Sequence, residues 1–195
     1  GEPGTCKDTV ILKMNPHQLI EGMAIAAYVI GASVGYNYMR GEFGLHYERM
    51  ESAFSEALEA GYVGESVLGS DFTFILHNIL GAGSYIVGEE TAMLESLEGK
   101  RAMPRYKPPF PAQIGLYNCP TTVNNTETLA SLPIILEHGG NKFAEMGRGS
   151  SGGRKIFCVS GHVKNPGVFE LPLGTPFSEI LELAGGMRGD AALKA

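Results

Sequence analysis

The sequence predicts an α/β layered fold, and two patterns carry that reading. Segments with helical apolar spacing alternate with short strand-like runs over the first hundred residues. The strand-like runs are apolar enough to be buried inside layers of helix. Of the 195 residues, 44% are hydrophobic and 18% charged, a composition that supports a packed core and argues against extended disorder.

Asn15 is placed as an N-cap with Pro16 at the first helical position, and Leu19, Met23, Ala26, Ala27 and Ile30 share one face. "GYNYMRGE" alternates and predicts a strand from about Gly35 to Arg40. "LHYERMESAFSEALEAG" predicts a helix with a Tyr47, Met50, Phe54, Leu58 stripe and Gly61 as its C-cap. "DFTFILHN" is the next strand. "GAGSYIVGEET" leads from it into a helix over Glu89–Glu98, closed by Gly99. "MPRYKPPFPAQIG" is a proline-rich loop, and irregular loops of this kind often carry function. "TTVNNTETLASLPIILEHGG" predicts a capped helix broken at Pro133, and "GRGSSGGRK", Gly147 to Lys155, reads as a linker. Beyond it, "KIFCVSGHVKNPGVFEL" predicts a hairpin turning near Asn165-Pro166-Gly167, and "TPFSEILELAGG" a short helix capped by Thr175.

The formal net charge of −6 argues against general nucleic-acid binding, which needs a basic face. No apolar run reaches the roughly 18–20 residues that span a bilayer, and no secretory leader is expected. Cys6, Cys119 and Cys158 are far apart in sequence and lack CxxC spacing. That pattern predicts a reduced compartment and no metal site. The start without Met and the end just after a helical pattern predict a piece of a longer chain.

Three stretches could carry chemistry. Gly81, Gly83 and Gly88 lie between a strand and a helix, where glycine lets backbone approach a ligand, although ordinary turns use it too. Glu89 and Glu90 follow. Capping explains them, since acidic residues in a first helical turn gain roughly 0.3–1 kcal/mol from the helix dipole. Carboxylates there would repel phosphate, so a ligand would present neutral donors such as ribose hydroxyls, amides or a flavin ring N–H. Phosphate then needs another home. Thr121, Thr122, Asn124, Asn125, Thr126 and Thr128 crowd the start of a helix with neutral hydrogen-bonding groups. Lys107 and Phe110 on a proline frame suit a planar anionic ligand, and a packed surface loop is the other reading. The five histidines form no ligand pair of useful spacing and are taken as structural.

"GEPGTCKD", "RGEF", "GAGSYIVGEETAMLESLEGK", "PRYKPPFPAQIG" and "PTTVNNTETLA" together resemble the NADH-oxidising flavoprotein subunit of NADH-quinone oxidoreductase, respiratory complex I. The resemblance runs in one order through nearly the whole chain. It implies a Rossmann-like FMN-binding domain over 1–150, lacking its N-terminal part, and the start of a β-grasp domain over 154–195. It implies hydride transfer from NADH to FMN, then single electrons to an iron–sulfur chain. By the same resemblance Gly88, Glu89 and Glu90 contact FMN, and Glu90 also lies near NADH, as the residue closest to the reaction. Tyr85, Lys107 and Phe110 match NADH-contacting positions. Val123, Asn124, Asn125 and Thr128 match the FMN segment near its phosphate, and Glu2 falls close to the nicotinamide. The family's [4Fe-4S] cluster ligands and Gly-rich FMN loop have no counterpart here.

The implied partners are NADH and other peripheral-arm subunits of complex I, notably a [2Fe-2S] thioredoxin-like subunit, with no nucleic acid and no membrane insertion. The implied location is cytoplasmic, on the inner face of a bacterial inner membrane, or on the mitochondrial matrix side. A diaphorase subunit of an NAD-linked hydrogenase or formate dehydrogenase is the second reading. A non-catalytic fragment or β-grasp interaction module is the third.

Overall fold

The computed structural model describes residues 4–189 and 191–194. Helices α1 (Lys7–Met14) and α2 (Pro16–Ile30) lead into strand β1 (Val34–Met39), helix α3 (Gly44–Glu59) and strand β2 (Ile75–Leu80). Strands β1 and β2 pair in parallel, from Val34 opposite Ile75 to Met39 opposite Leu80. Helix α3 is thus the crossover of a βαβ unit, the connection a parallel pair requires.

Asn15 caps α2 by accepting from the Gln18 amide, and Pro16 opens the helix. The core is Leu12, Leu19, Ile20, Met23, Met39, Met50, Ala53, Ala57, Phe74 and Leu76 with their neighbours. The buried face of α3 is Met50, Ala53 and Ala57, whereas the expected Leu58 is exposed, as is Ile30 of α2. Alanines on that face let α3 lie close to α2 and β2, displacing the bulkier stripe to its margin. Gly22 has the same effect on α2, where a Cβ would stand 1.9 Å from the Leu129 carbonyl oxygen. A half-buried polar ladder ties the paired strands to α3. Asn37 Nδ2 donates to Asn78 Oδ1 at 3.0 Å, and Asn78 Nδ2 donates to Glu51 Oε1 of α3 at 2.8 Å.

Helix α4 (Glu90–Leu97) follows a 3₁₀ turn at Tyr85–Gly88. Then come α5 (Thr126–Ala130), α6 (Leu132–His138) and α7 (Gly140–Glu145). The break expected at Pro133 falls at Ser131, because Pro133 sits in the first turn of α6, where its missing N–H costs nothing. The C-terminal part holds the antiparallel pair β3 (Arg154–Val159) and β4 (Gly167–Pro172), then α8 (Phe177–Leu183).

Other boundaries differ from the sequence expectation. Asp71 to Phe74 precede β2 and do not join it; Phe74 pairs backbone with Gly64 instead. The cap residue of α3 is Ala60, one before Gly61. The turn between β3 and β4 spans residues 160–166, and Gly167 already belongs to β4. Thr175 does not cap α8; its hydroxyl donates to the Pro172 carbonyl, and Pro176 holds the cap position. Helices α1 and α7 carried no distinct sequence signal.

The Gly/Ser stretch is not a loose linker. The Arg148 amide donates to Leu173 O at 2.9 Å, its guanidinium pairs with Glu179, and Arg148 and Ser151 form a β-bridge. Its small residues serve a tight turn that is pinned to β4 and α8. Among the described residues, no helix is long and apolar enough to cross a membrane.

Candidate functional site

The parallel strands end side by side at Met39 and Leu80. The loops that leave them meet at once. A Cβ on Gly41 would stand 2.5 Å from Gly81 O and 2.9 Å from Gly83 N, and Gly83 has φ +87°. Only a backbone without side chains permits that approach. The carboxyl ends of parallel strands are where α/β folds place ligands, so "RGEF" and "GAGSY" form one glycine floor there. Gly41 is the part of this floor that the sequence reading did not single out.

The 3₁₀ turn at Tyr85–Gly88 carries the chain from this floor to α4. Glu89 is the N-cap of α4: one carboxylate oxygen accepts from the Ala92 amide at 2.9 Å and from the Thr91 hydroxyl. Its other oxygen accepts from Lys107 Nζ at 2.9 Å, and the same Nζ donates to Glu90 Oε1 at 2.9 Å. One ammonium therefore bridges the paired glutamates, and both glutamates hold Lys107 above the usual lysine range. For Glu89, burial pushes the carboxyl up. The Thr91 hydroxyl, Lys107 and the Ala92 amide outweigh it and hold the group at about 2. The capping reading thus describes Glu89. Glu90 opens the helix and has Lys107 as its ion-pair partner.

A folded-state pKa below the unfolded value means that Glu89 stabilises the fold above about pH 4.5 and loses that contribution as pH falls toward about 2. Glu89→Gln is expected to flatten the acid limb of stability in that window. Thermal melts between pH 5 and 2 measure it, and an unchanged acid limb would remove Glu89 from the account.

Arg105 holds the loop that delivers Lys107. Its Nε donates to Glu95 Oε1 at 2.5 Å, Nη2 to Glu98 Oε1 at 2.7 Å and Nη1 to Gly115 O at 3.0 Å. The Arg105 amide donates to Thr91 Oγ1 at 2.8 Å. The loop is therefore anchored to α4 itself. Phe110, further along it, is exposed, as is Tyr85.

The asparagine segment starts α5. Asn125 is its N-cap: Oδ1 accepts from the Glu127 amide at 2.9 Å and from Lys7 Nζ at 2.7 Å, while Nδ2 donates to Asp8 at 3.4 Å. Its oxygen is committed to the helix, as an ordinary cap's would be. Asn124 and Thr128 are exposed. Val123 and Asn124 line a cavity of about 510 Å³, with Met93, Leu94 and Leu97 of α4 on another wall.

Thus Gly88, Glu89, Glu90 and Lys107 form one cluster, with Tyr85 in the turn leading to it. Val123 and Asn124 face the cavity, and Asn125 joins Lys7 and Asp8. Glu2 lies outside the described residues. Lys7 and Glu127 escaped the sequence reading. Glu127 is buried, accepting from the Ile156 amide at 2.8 Å and from Lys155 Nζ at 2.8 Å, with Lys7 Nζ at 3.4 Å. Its only sequence signal is an acidic residue in a first helical turn, which capping explains equally well.

The donor set suits a flavin nucleotide beside a dinucleotide, with bare glycine backbone, acceptors for ring N–H and hydroxyl groups, and one cation. It does not suit an iron–sulfur cluster. Among the described residues, no group of three or more His, Cys, Asp or Glu could hold a metal.

The Nuo51 FMN-binding domain family model matches residues 1–134, and the SLBB domain model matches residues 156–195. An F-type NADH-quinone oxidoreductase subunit of Rhizobium meliloti (strain 1021) is 54% identical over all of this chain and 47% of its own length. The mitochondrial NADH dehydrogenase [ubiquinone] flavoprotein 1 of Dictyostelium discoideum is 50% identical over 97% of this chain and 40% of its own. A solved NAD⁺-reducing [NiFe]-hydrogenase, in its H₂-reduced state, superposes with a TM-score of 0.86 and 38% identity, over 97% of this chain and 32% of that one. The chain spans about half the length of the curated relatives it matches.

Proposed function

The chain belongs to the family of the Nuo51 FMN-binding domain, and on that footing we propose that it is part of a flavoprotein subunit that oxidises NADH with FMN in NADH-quinone oxidoreductase. One observation carries the reading furthest: a glycine floor at the carboxyl ends of two parallel strands leads through the Tyr85–Gly88 turn into the Glu89–Lys107–Glu90 cluster. We assign residues 1–150 to the FMN and NADH domain and 154–195 to a β-grasp domain.

The chemistry FMN supplies when bound is acceptance of a hydride and release of single electrons. The residues of this chain bind and orient. Gly88, Glu89 and Glu90 would accept hydrogen bonds or approach closely with backbone. Tyr85, Lys107 and Phe110 would hold the dinucleotide, Phe110 by stacking on its adenine. Val123, Asn124, Asn125 and Thr128 would serve the flavin phosphate region, and Glu2 the nicotinamide side. No general base is required of the chain. The partners proposed are the other peripheral-arm subunits, including a [2Fe-2S] thioredoxin-like one, on the inner face of the membrane that carries the complex. The hydrogenase likeness supports a second reading, a diaphorase subunit with the same half-reaction and another acceptor.

In the full-length protein, Glu90→Gln keeps shape and removes one charge. Lys107 already compensates part of that charge, so a change of about 1 kcal/mol in NADH or NAD⁺ binding is expected, with folding intact. NADH-oxidation kinetics, flavin potential and melting temperature on one preparation decide it. If only the melting temperature moves, Glu90 is a helix-terminus residue and the functional assignment of this cluster fails.

A further inference from the structure

Cys6 and Cys158 are 152 positions apart in sequence, yet their Sγ atoms lie 3.4 Å apart. Cys6 holds the N-cap position of α1, and Cys158 lies in β3. The contact joins the first part of the chain to the C-terminal hairpin. The Cys6 thiol donates to Cys158 Sγ, and the Cys6 amide points at the same sulfur, also at 3.4 Å. Both residues are half-buried, so a small reagent can reach them. A few residues away on both strands of the seam, Glu127 clasps Lys155, the Ile156 amide and Lys7. That clasp ties the first turn of α1 to β3 close to the two cysteines in sequence. Cys119 is exposed, and its Sγ points to the Tyr117 carbonyl oxygen.

We propose that Cys6 and Cys158 are a dithiol modification site whose two-electron oxidation by hydrogen peroxide staples α1 to β3 with a disulfide. The hydrogen bond to Cys158, and then burial, hold the Cys6 thiol above the usual cysteine range. The Cys6 proton is committed to Cys158 Sγ, which accepts from both the Cys6 thiol and the Cys6 amide, so the Cys158 sulfur makes the first attack. It takes one peroxide oxygen as a sulfenic acid, and its proton leaves with the other oxygen as water. The Cys6 sulfur then displaces the sulfenic oxygen, which departs with the Cys6 proton as a second water. Two S–H bonds and one O–O bond are lost, one S–S bond and two O–H bonds are gained, and both electrons end on peroxide oxygen. Two thiols already in contact favour this closure over further oxidation of either one.

The test is peptide mapping of the full-length protein, reduced and then treated with hydrogen peroxide before alkylation. The expected product is one linked peptide pair, Cys6 with Cys158, while Cys119 is recovered alkylated. Dithiothreitol should reverse it, Cys6→Ser should abolish it and Cys119→Ser should leave it intact. Amide exchange across Arg154–Val159 should slow on oxidation in the wild type and stay unchanged in Cys6→Ser. Recovery of Cys6 and Cys158 as separate alkylated thiols or separate sulfinic acids would overturn the proposal. So would a linked pair that leaves exchange in β3 unaltered, because the seam would then not be locked.

Discussion

Arg105→Ala is expected to destabilise the protein by about 2–3 kcal/mol and to lower the melting temperature by roughly 5–10 °C. The guanidinium bridges Glu95, Glu98 and the Gly115 carbonyl, and the Glu98 side chain is only 9% exposed. Lys100 most strongly lowers the Glu98 carboxyl, which burial raises. Arg105 and the Tyr117 amide lower it further, to about 2. Removing Arg105 leaves a nearly buried carboxylate with part of its compensation gone, and this asymmetry makes such deletions costly. Lys100 stays at 2.7 Å from Glu98, and for that reason the figure sits below the loss of a fully buried pair. Arg105→Lys should recover less than half of the loss, since one ammonium cannot span three acceptors. Melting curves of the three proteins check this; equal stability of wild type and Arg105→Ala would mean that the fork carries no net energy.

Lys107→Ala should have the largest effect on ligand handling, a roughly 10- to 100-fold fall in kcat/KM for NADH. The ammonium bridges Glu89 and Glu90. Without it two neighbouring carboxylates would stand uncompensated where the proposed anionic NADH is held, and no other cation pairs with both among the described residues. Stability should change far less, because Glu89 retains the Ala92 amide and the Thr91 hydroxyl. Steady-state kinetics with an artificial electron acceptor, together with a melting curve, separate the two effects. Kinetics that match the wild type would show that Lys107 only tidies a helix end, and the NADH assignment of this loop would fall with it.

The two variants bear on different layers of the same site. Arg105 sets where the loop runs, and Lys107 sets the charge that the loop delivers. Both layers depend on α4, whose first turn offers Thr91 Oγ1 to the Arg105 amide and Glu89 to Lys107.

Much of this architecture is legible in the chain itself, wherever the physics is local. Asn15-Pro16 marks a helix start because a side-chain acceptor and a fixed φ act within one turn. The glycines after β2 and the glutamates after Gly88 mark a strand-to-helix turn for the same reason, and the resemblance carried by the motifs is the ground of the role proposed for that turn. The parallel pairing of β1 with β2 is not local. It depends on α3 crossing over the sheet, where Asn37, Asn78 and Glu51 meet between strands and helix. Periodicity likewise could not tell that Ala53 and Ala57, and not Leu58, face inward, because close helix packing favours the smaller side chain. Tertiary structure alone decided which distant groups meet. Gly41 comes against Gly81, Lys107 against both glutamates, Glu127 against Ile156, and Cys6 against Cys158. Each of those encounters is set by chain segments folding back over long separations, where side-chain spacing along the sequence carries no distance information.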